Sequence, residues 1–86
     1  APAAARMSAR ILIVEDEPGV VLTLTDRLEA EGFTVSSEAD GDKGLERALA
    51  EPFDLLLLDI TLPSRNGLDI CRKLRSAGNS VPVLML

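Results

Sequence analysis

The chain alternates between short, unbroken apolar runs and longer stretches whose apolar residues recur at helical spacing. Arg10-Ile-Leu-Ile-Val14 is one such run, closed by Glu15-Asp16-Glu17, and it predicts a strand covered on both faces, as in a parallel sheet. Pro18 follows where a first helical turn tolerates proline, with Asp16 or Glu17 in position to cap. Val21, Leu24 and Leu28 recur on one face before Gly32, which predicts a helix over about 18–31. Phe33 to Ser37 alternates apolar and polar residues and predicts a short strand with one less apolar face, suited to a sheet edge. Ala39-Asp40-Gly41-Asp42 has turn chemistry, and Leu45, Ala48 and Leu49 form a short helical stripe stopped by Pro52. Leu55-Leu-Leu-Leu58, ending at Asp59, is not told from a buried helix by periodicity alone, but its length and flanks favour a central strand. Ile60 to Gly67, with Pro63 and Asn66-Gly67, reads as a loop. From Leu68, Ile70, Cys71 and Leu74 predict a third helix closed by Gly78, with Arg72, Lys73 and Arg75 near its end, where the helix dipole favours cations. Val81 to Leu86 predicts a further strand, with Pro82 near its start.

Strand and helix therefore alternate with connections of a few residues, and no internal repeat interrupts them. That order implies right-handed crossovers and an α/β fold, a doubly wound parallel sheet with helices on both faces. At 86 residues and 9.2 kDa the chain holds one small domain. Residues 1–9, Ala- and Pro-rich, lack the apolar core of a signal peptide and read as a leader or disordered tail before a domain over 10–86. Ending on the apolar Leu86 inside a predicted strand suggests a partial domain, truncated after its fourth strand, whose exposed edge could draw a second copy into a homo-oligomer.

Charge narrows the function. Nine basic against fourteen acidic side chains give a net −5, a poor balance for gripping nucleic acid or an anionic membrane. The imbalance is local: residues 1–62 hold five basic and thirteen acidic side chains, residues 63–86 four and one. No tyrosine or tryptophan is present to stack on bases, and no run approaches the roughly 18 apolar residues of a membrane span. The single cysteine, Cys71, can form no internal disulfide, which favours a reducing, cytoplasmic setting; it reads as a small buried hydrophobe, and Phe33 and Phe53 as core or near-core.

In open α/β sheets ligands bind beyond the carboxyl ends of the strands. Glu15 and Asp16 follow the first strand and Asp59 follows the third, so neighbouring strands would bring three carboxylates together. Bare, they repel; a hard cation such as magnesium, which prefers oxygen ligands, relieves that repulsion. A carboxylate at a strand end can also attack phosphorus, which makes Asp59 the candidate nucleophile. Taken singly, each acid has the plainer reading of a helix or turn cap. A flavin-phosphate site is disfavoured by the repulsion of Glu15-Asp16-Glu17, and an aspartyl phosphatase would want a second Asp where Thr61 stands and its nucleophile on the first strand.

Ile11-Leu-Ile-Val-Glu-Asp-Glu17, Asp54-Leu-Leu-Leu-Leu-Asp59-Ile-Thr-Leu-Pro63 and Asn66-Gly67 together closely resemble the receiver domain of two-component response regulators, over Arg10 to Leu86. The resemblance implies the flavodoxin-like topology with strand order 2-1-3-4-5, here 2-1-3-4 with strand five and the last two helices absent. It implies that Asp59 accepts a phosphoryl group from a histidine kinase or phosphotransfer protein. Magnesium would then be held by Glu15, Asp16, Asp59 and the backbone carbonyl of Thr61, with Pro63 and Gly67 shaping the loop. It also implies two departures: the family's Ser or Thr after strand four and Lys after strand five have no counterpart within these 86 residues. The alternative is a receiver-fold interaction module, or an inactive fragment, that assembles through its sheet edge.

Overall fold

The computed structural model of the protein describes residues 9–62 and 64–86. Residues 1–8 of the leader reading, and Pro63 of the loop reading, lie outside the described residues. Four strands and three helices alternate: β1 (Arg10–Val14), α1 (Pro18–Ala30), β2 (Thr34–Glu38), α2 (Gly41–Ala50), β3 (Leu55–Leu58), α3 (Gly67–Ser76) and β4 (Val83–Met85). All pairings are parallel and the strand order is β2-β1-β3-β4. The order expected for the first four strands of a doubly wound sheet is therefore met.

β1 is the hub because its residues are apolar on both faces. Ile11 pairs Val35 of β2 on one side and Leu55 of β3 on the other, and Val14 pairs Leu58. Leu12, Val14, Leu56 and Leu58 point to one face, where they are buried with Ala48, Phe53, Ile70 and Leu74 from α2, α3 and the segment between α2 and β3. Ile11, Ile13 and Leu57 point to the other, under Val21, Leu24 and Leu28 of α1. Each fully buried Leu or Ile contributes about 1.5–3 kcal/mol, so the α2–α3 face carries most of the hydrophobic stabilisation. On the other face α1 contributes no fully buried residue. The period of two along the strands and of 3.6 along the helices is what assigns each side chain to its layer.

Several expectations are corrected. The strand expected from Phe33 begins at Thr34 and runs to Glu38; Phe33 precedes it at the outer edge and is 37% exposed, having no strand beyond it to pack on. Glu17 is the N-cap residue of α1, yet no side chain caps that terminus. Leu49 is exposed rather than part of the α2 stripe, because the buried face of α2 is centred on Gly41, Gly44 and Ala48. Gly44 explains the rotation: a Cβ there would sit 2.7 Å from Val14 Cγ1, so only glycine lets α2 lie this close to β1. Cys71 is half-buried rather than buried, on the flank of the α3 stripe formed by Ile70 and Leu74. β4 is shorter than the run that predicts it; Pro82 lies just outside, and its carbonyl still accepts from Leu56 N–H at 2.9 Å.

Candidate functional site

The carboxyl ends of β1 and β3 lie side by side because those strands are neighbours in register. Asp59 N–H donates to the Val14 carbonyl at 2.9 Å, and Glu15 N–H to the Glu38 carbonyl at 3.1 Å, so pairing continues one residue past each strand. Glu15, Asp16 and Asp59 consequently each offer a carboxylate oxygen, and these oxygens all lie within 4.8 Å of one another. The three differ in setting: Glu15 is buried at 7% exposure, Asp59 half-buried and Asp16 exposed. Among the described residues none of the three forms an ion pair.

That arrangement stores electrostatic repulsion. Burial raises the Glu15 carboxyl above its ordinary value, the charges of Asp59 and Asp16 push it further, and the Glu17 backbone N–H, donating to Glu15 Oε2 at 3.0 Å, offsets part of the rise. Asp59 Oδ1 accepts from the Thr61 N–H at 3.2 Å, which sets Thr61 beside the acids. Three hard, anionic oxygens with no cation among the described residues paired to them form a donor set that suits a small divalent cation. The sequence-designated residues Glu15, Asp16, Asp59 and Thr61 are thus gathered in one place.

Among its described residues, the connection from Asp59 to α3 is held by Leu62 against the core and by polar tethers. Gly67 N–H donates to the Ile60 carbonyl at 2.9 Å, and a Cβ on Gly67 would stand 2.5 Å from the Asp59 carbonyl oxygen, so the loop closes on itself through a residue without a side chain. Asn66 caps α3, its Oδ1 accepting from Asp69 N–H at 2.8 Å. Ser64 and Arg65, to which the sequence reading gave no role, reach across to α2: Asp42 N–H donates to Ser64 Oγ at 3.1 Å, and Arg65 Nε donates to Asp42 Oδ1 at 2.7 Å. Arg65 also pairs with Asp69. Asp69 lies four residues on from Arg65 and is within local reach, but Asp42, 23 residues back on α2, is a partner that only the fold brings near.

Comparison with known proteins agrees with this geometry. The family model for the response regulator receiver domain matches residues 11–86. The response regulator ArlR of Staphylococcus aureus is 46% identical over 77 residues, covering 90% of this chain and 35% of that protein. A structure of the MaeR response regulator bound to beryllium trifluoride superposes with a TM-score of 0.83 at 34% identity, covering 91% of this chain and 66% of that one. The response regulator TrrA of Thermotoga maritima, in complex with Mg(2+)-BeF, gives 0.78 at 28% identity, covering 90% and 65%. The chain belongs to the response regulator receiver family, and its sheet has the doubly wound, flavodoxin-like order of that family. It is a signalling module of two-component systems, and it spans about a third of the length of the curated relatives it matches. Among the described residues no helix is long and apolar enough to cross a membrane.

Proposed function

We propose that Asp59 is the phosphoryl acceptor of this domain, that the donor is the phosphohistidine of a histidine kinase or phosphotransfer protein, and that magnesium is required. The observation that carries this reading is the convergence of Glu15, Asp16 and Asp59 within 4.8 Å at the carboxyl ends of adjacent strands. A carboxylate oxygen of Asp59 attacks phosphorus; the new P–O bond forms as the P–N bond to the donor imidazole breaks, and the imidazole nitrogen leaves with the bonding pair. Asp59 is suited to this because it is half-buried yet accessible and is oriented by the Thr61 N–H on Oδ1. Glu15, Asp16 and Asp59, with the Thr61 carbonyl, would hold magnesium, whose chemistry when bound is to neutralise charge on the carboxylates and the incoming phosphoryl oxygens. The Mg(2+)-BeF complex of TrrA supports that choice of cation. In this reading the domain assists its own phosphorylation in the cytoplasm and turns over no separate substrate.

Intact mass after incubation with a small phosphoryl donor tests it. A magnesium-dependent gain of about 80 Da, absent in Asp59→Asn, is the expected result. A gain that survives Asp59→Asn would move the acceptor elsewhere.

A second reading, assembly through the sheet edge, is favoured by one observation: β4 is an edge strand whose Leu84 is 57% exposed, followed by Leu86 at 43%. Such an edge can pair with that of a second copy. Light scattering across a concentration series would then show a dimer, and a monomer throughout would dismiss it.

A further inference from the structure

Among its described residues, the loop that carries Thr61 has little apolar anchorage beyond Leu62. A cavity of about 420 Å³ opens beside it, lined by Leu62, Ser64, Arg65, Asn66, Asp69 and Arg72. Only Leu62 of that lining is apolar and packs against the core. The directed polar contacts of its described residues hold it in place. Those contacts converge on α2. Arg65 spans Asp42 in the first turn of α2 and Asp69 in the first turn of α3. Ser64 accepts from Asp42 N–H, and its hydroxyl holds the Asp40 carboxyl below its ordinary value. Asp40 in turn caps α2, accepting from Lys43 N–H at 3.0 Å.

From this interlock we infer that Arg65 is a positioning residue for the acidic site: by forking between Asp42 and Asp69 it fixes the segment from Ser64 to Asn66 that leads into Gly67, and with it the donor geometry around Asp59. The inference rests on the reading of Glu15, Asp16 and Asp59 as a magnesium site. A planar guanidinium with several fixed donors can hold two carboxylates on two helices at once, which a lysine ammonium on a flexible stem does poorly. The chain of contacts to the site is short. Arg65 precedes the cap Asn66, Asn66 precedes Gly67, and Gly67 N–H and the absence of its side chain lock the loop against Ile60 and Asp59. At the loop's other end Thr61 is set against Asp59 Oδ1. Groups that orient metal ligands without touching the metal typically change affinity by about 10–100-fold when removed.

The sign of the effect separates positioning from simple electrostatics. Arg65 is a cation, so by Coulomb's law alone its removal would tighten the binding of a divalent cation nearby. Positioning demands the opposite. Calorimetric titration of magnesium into the wild-type chain and into Arg65→Ala, Arg65→Lys, Arg75→Ala and Asp16→Asn decides the matter. Arg75 is the control, an exposed arginine of α3 whose guanidinium bonds the Asn79 carbonyl, away from the loop.

The expected result is an affinity about tenfold weaker in Arg65→Ala, intermediate in Arg65→Lys, and unchanged or slightly tighter in Arg75→Ala. Faster hydrogen exchange at the Gly67 amide should accompany the loss in Arg65→Ala. Unchanged or tighter binding in Arg65→Ala, with binding lost in Asp16→Asn, would overturn the inference while the acidic-site reading stands. If Asp16→Asn binds as wild type does, the acidic-site reading itself fails and this inference with it. Should Arg65→Ala not fold, Arg65→Lys, which keeps the charge and the stem, carries the same comparison: binding equal to wild type overturns the inference.

Discussion

Two charged regions of this domain are built on opposite principles. Around Phe53 the arginines are matched by carboxylates: Arg10 pairs with Glu51 at 2.6 Å, and Arg47 pairs with Glu51 at 2.8 Å and with Glu38 at 3.3 Å. Both guanidinium groups lie over the Phe53 ring, at 4.7 and 5.7 Å from its centre. At the carboxyl ends of β1 and β3, by contrast, Glu15, Asp16 and Asp59 crowd together, and no described cation pairs with them. The first region fastens β1 to the end of α2 and satisfies itself. The second is left unsatisfied, and unsatisfied charge held in place by a rigid sheet is available for a ligand.

If repulsion at the acidic end is real, backbone packing must hold it together, and disturbing that packing should have the largest effect. Gly67→Ala would put a Cβ against the carbonyl oxygen and carbon of Asp59, at 2.5 and 3.1 Å. Backbone cannot step aside as a flexible side chain can, so about 2–3 kcal/mol of stability should be lost, read from urea denaturation. A loss below about 0.5 kcal/mol, the range of ordinary surface changes, would mean that the loop moves freely and that its packing does not define the site. A smaller effect of opposite sign is expected from Asp59→Asn. Without divalent cations it relieves repulsion and should raise the melting temperature by about 4 °C, the shift produced by roughly 1 kcal/mol in a domain of this size. Millimolar magnesium should stabilise wild type more than the variant and narrow or reverse that gap. If Asp59→Asn melts lower than wild type in the absence of magnesium, the acids are not in repulsion.

Most of the architecture could be read from the chain because apolar runs and helical stripes act locally. Ile11 to Val14 and Leu55 to Leu58 mark buried strands whatever surrounds them, and each ends in the acids that the parallel order then brings together. Two things were out of reach for physical reasons. The buried face of α2 is set by Gly41 and Gly44, which carry no hydrophobic signal, so Leu49 was misassigned to it. The contact between Arg65 and Asp42 joins residues 23 positions apart in sequence, and no periodicity encodes a pairing between a loop and a distant helix. Phe33 fails in another way: its chemistry favours burial, but its position at the outer edge of the sheet leaves nothing to bury it.

The gentlest test of the contrast is titration, because the two regions should respond to pH with opposite sign. Hydrogen bonds from Arg47 and then Arg10 hold the Glu51 carboxyl at about 2, against an ordinary 4.5. Its contribution to stability is therefore complete above pH 4.5 and is lost as pH falls toward 2. Glu15 is raised, first by burial and then by the charges of Asp59 and Asp16. A carboxyl whose folded pKa exceeds its unfolded value stabilises the fold while protonated, below the unfolded value, and that contribution disappears as pH rises through the folded one. Denaturation midpoints across acidic pH should then separate two variants. Glu51→Gln should flatten the loss of stability below pH 4.5, because the group that must take up a proton is gone. Glu15→Gln should instead gain on wild type as pH rises above 4.5, because wild type alone must then carry the buried charge, and magnesium should cancel that gain. Parallel curves for both variants would show that the two regions are electrostatically alike, and the distinction between a satisfied cluster and a site left open would fall.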